Sequence, residues 1–163
     1  MNYKHDYQLN TKPNLFKRIV AAIIDYGIIA IYMVFMFYLY AEPNNEGGFT
    51  VKGWPGFSIV VVWFIFTVGM EISSGMTLGN RSQNLRVGPK SDPRKGVTFG
   101  QSLKRHLLDP IDLWPFSLLG LLTIKNTAYN QRLGDLWAKT VVIDTSDPEQ
   151  GLKEKTPAAT TEQ

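Results

Sequence analysis

Cysteine is absent from this chain of 163 residues. That excludes a disulfide framework, a thiolate metal centre and a cysteine nucleophile. Histidine is nearly absent. His5 and His106 stand isolated and far apart, so a two-histidine metal site is not expected, and no cofactor is implied. No Ser/His/Asp or Walker pattern occurs, and the chain is not expected to be an enzyme. Seventeen Lys and Arg against fourteen Asp and Glu leave a net charge of only +3. With no aromatic platform or recognised module beside it, that excess does not point to nucleic acid. Charge is almost missing from two long stretches.

Residues 19–41 form an apolar run of 23 residues broken only by Asp25. At about 1.5 Å per residue, a helix of this length crosses a bilayer core of about 30 Å. A second run, FSIVVVWFIFTVGM, follows Pro55 and meets Glu71. The mean hydropathy near zero averages these runs with polar ends. The first run is too long for a signal-peptide core and ends in bulky Tyr38-Leu39-Tyr40, so it reads as an uncleaved span. The expected fold class is all-α integral membrane: two transmembrane helices, an amphipathic or re-entrant helical segment, and a small cytoplasmic two-stranded β pair. Residues 1–14 read as a flexible N-terminal segment, 15–144 as the membrane domain and 145–163 as a disordered polar tail.

Between and after the spans the punctuation is clear. Residues 42–56 form a loop rich in Gly, Pro and Asn. Gly75 and Gly79 mark a turn after the second span. Thr98 and Gln101 have capping-box spacing, and Phe99, Leu103 and Leu107 form the apolar stripe of an amphipathic helix, with Lys104 and Arg105 off it. Pro110 breaks that helix. Residues 111–124 are apolar but only fourteen long and contain Asp112 and Pro115, so they read as interfacial or re-entrant; a tilted third span is the alternative. Segments 85–87 and 140–143 read as strands that pair. Lys4, Lys12, Lys17 and Arg18 precede the first span, only Lys52 lies between the spans, and Arg81, Arg86, Lys90, Arg94, Lys95, Lys104 and Arg105 follow the second. This positive-inside pattern places both termini in the cytoplasm.

Asp25 and Glu71 carry the functional question. An acid within the bilayer costs roughly 2.5–3.5 kcal/mol on insertion scales and marks a functional site by default. Arg18 lies seven residues before Asp25, two turns away on the same helix face. Counting residues from the cytoplasmic boundary puts Asp25 at about 10 Å depth and Glu71 at about 12 Å. Two readings follow. In one, the acids pair with arginines, Asp25 with Arg18, Arg132 or Arg81. In the other, Asp25 and Glu71 share a sodium ion or proton, with Thr67 and Ser74 adding oxygen ligands. The implied partners are the lipid bilayer and a homo-oligomer or a membrane complex, because so few helices cannot enclose a pathway alone.

The chain resembles the RDD family of bacterial membrane proteins, so called for one arginine and two aspartates. Arg18, Ala21 and Asp25 in FKRIVAAIIDY match the opening pattern. Gly75 to Arg81, followed by Asn84-Leu85-Arg86-Val87, match the centre, with Asn80 where many members carry lysine. QRLGDLWAKTVVI matches the close, with Arg132 and Asp135, the latter being the second name-giving aspartate. The resemblance implies a polytopic protein of the bacterial cytoplasmic (inner) membrane. It implies little chemistry: transport has been proposed for the family, and sodium/proton exchange for some members.

Overall fold

The computed structural model describes residues 7–112 and 118–154. Two long helices dominate it. Helix α1 (Leu15–Tyr40) has 26 residues, and helix α2 (Gly53–Ser74) has 22. Both are long and apolar enough to cross a membrane. A hairpin joins them, its strands β2 (Glu42–Pro43) and β3 (Phe49–Thr50) pairing antiparallel inside the expected loop. The buried positions of α1 are Ala21, Asp25 and Ile29, spaced by four along one narrow stripe. The bulky residues point outward instead, Ile31 at 73% and Tyr38 at 85% exposure. Large apolar side chains outside and small or polar ones inside reverse the pattern of a water-soluble protein.

The second helix is not uniform. Ile65–Gly69 forms a π-helical turn, and the Thr67 hydroxyl donates to the Trp63 carbonyl. The helix ends at Gly75, whose φ of 74° is a left-handed conformation that glycine adopts without a Cβ penalty. A short helix α3 (Leu78–Ser82) and strand β4 (Leu85–Pro89) follow. Helix α4 (Phe99–Leu107) begins with the full Thr98/Gln101 capping box. After it come α5 (Asp109–Asp112), α6 (Leu118–Asn126), α7 (Leu133–Ala138), β5 (Thr140–Asp144) and β6 (Gly151–Glu154).

The expected strand pair is present. β4 and β5 run antiparallel with Leu85 opposite Asp144 and Val87 opposite Val142. The small apolar core sits here, where Leu85, Val87, Val97 and Val142 cluster with Ala21 of α1. Leu85 and Val87 are fully buried, each contributing at most about 1.5–3 kcal/mol.

One expectation changes. The ends expected to be flexible or disordered meet each other: β1 (Tyr7–Asn10) pairs antiparallel with β6. Lys12 bridges Asp147 and Glu149, and Lys17 bridges Asp144. Residues 1–6 and 155–163 lie outside the described residues. Helix α4 turns its polar face inward. Phe99 and Leu107 of the apolar stripe are exposed, while Ser102, Arg105 and His106 are buried. Asp112 and Gly120 lie close together. A Cβ on Gly120 would lie 2.8 Å from the Asp112 carbonyl oxygen, whereas eight residues along a straight helix span about 12 Å. The expected interfacial or re-entrant segment falls partly on residues 113–117, which lie outside the described residues.

Candidate functional site

Asp25 is buried and points at the N-terminus of α3. Its Oδ1 accepts the Gly79 backbone N–H at 2.7 Å, and its Oδ2 accepts the Thr77 hydroxyl at 2.5 Å. Thr77 in turn caps α3 by accepting the Asn80 N–H. No arginine lies within ion-pair distance of Asp25 among the described residues, which corrects the expectation of a pairing with Arg18, Arg132 or Arg81. The free N–H groups of a helix start are a physical alternative to a cation. Replacing Asp25 with asparagine is expected to cost about 1 kcal/mol, the worth of one cap contact. Thermal unfolding in detergent measures it, and a loss of several kcal/mol would reveal a charge partner.

Around this point the structure gathers a buried ionic network. Arg105 Nε lies 3.1 Å from Glu71 Oε1, and its Nη1 contacts Asp135. Arg18 reaches Asp135 at 3.3 Å and donates to the Asn130 carbonyl at 2.9 Å. Two of the three name-giving residues of the resemblance therefore bind each other. Arg132 meets Asp109 at 2.8 Å and lies 3.8 Å from both Asp112 and Asp135. Asp112 also accepts the backbone N–H groups of Leu133 and Gly134, so it caps α7. The Tyr26 hydroxyl donates to Asp109.

His106 sits between two acids, Nδ1 at 2.6 Å from Asp109 and Nε2 at 3.4 Å from Glu71. Burial alone would lower its pKa, but the contacts with Asp109 and Glu71 override it and raise the pKa above the ordinary value. Burial would raise Asp109, yet Arg132, His106 and Tyr26 outweigh it and hold it at about 2. With His106 protonated, three arginines and one imidazolium face Glu71, Asp109, Asp112 and Asp135, four charges of each sign. The linkage signs follow. His106 contributes stability below its unfolded pKa of roughly 6.5 that is lost as pH rises through the raised folded value. Asp109 contributes stability above its unfolded pKa that is lost as pH falls through about 2. Unfolding midpoints should therefore fall on the alkaline side of neutrality, and His106→Gln should remove that alkaline loss. Melting curves across pH 5–9 check this; an unchanged alkaline profile in His106→Gln would refute it.

Arg18, Asp25, Tyr26, Asn80, His106 and Arg132 line a cavity of about 100 Å³, closed partly by the apolar Ala22, Leu121 and Ile124. That is room for a few waters or a small hydrated ion. Of the residues expected from sequence, Arg18, Asp25 and Arg132 line the cavity, and Glu71 and Asp135 join the network through Arg105. Arg81 does neither; it is exposed. Asp25 and Glu71 do not share a ligand position, since each has its own partners. Among the described residues no group of three His, Cys, Asp or Glu is arranged to hold a metal ion. Sequence reasoning missed Tyr26, Arg105, His106, Asp109 and Asp112 as members of the site. The signal was there: RHLLDPID places Arg105, Asp109 and Asp112 at helical spacing, although α4 ends at Leu107 and Pro110 lies in the short helix α5 that follows.

A family profile described as the RDD family matches residues 12–139, a span that contains the whole network. No curated protein and no solved structure matches the chain.

Proposed function

The chain belongs to the RDD family, a family of membrane-associated domains, and on that premise we propose that it is an accessory or structural component of the bacterial cytoplasmic membrane and not an enzyme. Both termini lie on the cytoplasmic side, and the protein serves as a subunit of an oligomer or larger complex. One observation carries this reading: the buried network is charge-matched, with every arginine in it already engaged by a carboxylate. A site built to exchange ions needs a carboxylate free to change partners. Glu71 is not free, held by Arg105 and His106.

A single feature favours a second reading, cation or proton handling. Asp25 lines the cavity and, among the described residues, is the one acid of the site without an arginine or histidine within ion-pair distance. Purified protein in proteoliposomes separates the two. The accessory reading predicts no sodium-dependent proton flux. Flux in the wild type that disappears in a folded Asp25→Asn variant would replace it with the transport reading.

A further inference from the structure

Helices α4 and α7 present an outer face that the ionic network does not use. Phe99 and Leu107 on α4, and Leu136 and Trp137 on α7, are between 42% and 54% exposed. The opposite faces of both helices are buried, with Ser102, Arg105 and His106 on one and Gly134, Asp135 and Ala138 on the other. The outer face is continuous with the long apolar helix α2, because the Phe99 and Phe64 rings lie 6.2 Å apart. Its charge has one sign. Lys104 lies over the Trp137 ring at 5.6 Å, Lys139 is exposed at the end of α7, and the single acid on either helix, Asp135, is turned inward and buried.

We propose that the α4–α7 face lies in the cytoplasmic leaflet with its apolar side chains at the acyl boundary and Lys104 and Lys139 bound to anionic phospholipid headgroups. A helix pair seated flat in an interface needs this combination: large apolar residues facing the chains, a tryptophan at headgroup level and lysines reaching outward. Neighbouring apolar surface on α2 extends the same plane. An aqueous location would instead leave four large apolar residues wet. This inference rests on the membrane reading, and it goes beyond that reading by assigning a lipid class to a surface away from the cavity.

The test uses the full chain in vesicles of phosphatidylcholine with a minor fraction of phosphatidylglycerol. Bromine is placed on the acyl chains of one lipid or the other, and fluorescence is read from a variant carrying Trp54→Phe, Trp63→Phe and Trp114→Phe, which leaves Trp137. Brominated phosphatidylglycerol should quench more than brominated phosphatidylcholine at equal mole fraction. Each lysine should enrich the anionic lipid roughly fivefold, so Lys104→Glu should abolish the preference. Equal quenching by both lipids overturns the anionic assignment. Quenching by aqueous acrylamide alone, or by nothing, overturns the seating and shows a face in water or covered by protein. If the triple variant does not fold, the difference between wild type and Trp137→Phe reads the same quantity. In the wild type the other tryptophans report on the membrane reading separately: if no bromolipid quenches any of them, that reading fails; if they are quenched and Trp137 is not, only this inference fails.

Discussion

Asp135→Asn should destabilise the folded protein by about 3–5 kcal/mol, the cost of removing one partner from a buried ion pair. Asp135 is fully buried and contacts Arg105 and Arg18, and it accepts the Arg132 backbone N–H at 3.1 Å. Asparagine keeps the shape but leaves the guanidinium groups of Arg18, Arg105 and Arg132 facing a neutral amide. The folded protein recovered from membranes should drop sharply, and the melting temperature in detergent should fall with it. Arg81→Ala is the control, because that side chain is exposed and outside the network; its effect should stay within about 0.5 kcal/mol. Adding Arg18→Met to Asp135→Asn should recover part of the loss, since removing both partners leaves less charge unpaired. Equal stability of Asp135→Asn and wild type would mean that the network holds nothing together.

Gly79→Ala should be comparably severe although it adds one methyl group. The new Cβ would sit 2.0 Å from the Ala21 carbonyl oxygen and 2.8 Å from Asp25 Oδ2. The first clash is with backbone, so no rotamer change relieves it. Helices α1 and α3 would have to separate, opening the contact in which Asp25 caps α3 and Ala21 joins the core with Leu85 and Val87. Overpacking of this kind costs about 1–3 kcal/mol or more, and here the cap is lost as well. Urea unfolding in detergent should show a lower midpoint with an unchanged slope. Gly96→Ala, where an added Cβ meets nothing within 4 Å, should leave the midpoint in place.

The parts of this molecule that could be read from its residues are those set by local rules. Apolar length located α1 and α2 to within a residue or two, and a capping box located the start of α4. The β4–β5 pair followed from two short β-branched segments. The site was legible only in outline. Arg18, Asp25, Glu71, Arg132 and Asp135 stood out as charges near apolar runs, but their pairing is a long-range matter. Asp25 found a helix end where an arginine was expected, because the five-residue α3 offers N–H groups that no composition rule reveals. The stripe on α4 was legible, but which face turns inward was not. The polar face turns in because Glu71, Asp109 and Asp135 wait there for Arg105 and His106, a pairing that spacing along one helix does not reveal. The strands β1 and β6 are too short and too polar to announce themselves, and only their pairing across the whole chain gives them a structure.

The bond between Arg18 and Asp135 joins residues 117 positions apart. At roughly 5–20 residues per second of synthesis, Asp135 is made about 6–23 s after Arg18. Lys17 waits still longer for Asp144, and β1 for β6. During that interval α1 holds its arginine without the carboxylate that later satisfies it, whereas Asp25 meets Thr77 and Gly79 sooner, 52 and 54 positions on. The order of synthesis thus makes the first helix the last to be completed. A nascent chain that stops short of residue 135 carries Arg18 without its carboxylate at the foot of an apolar helix.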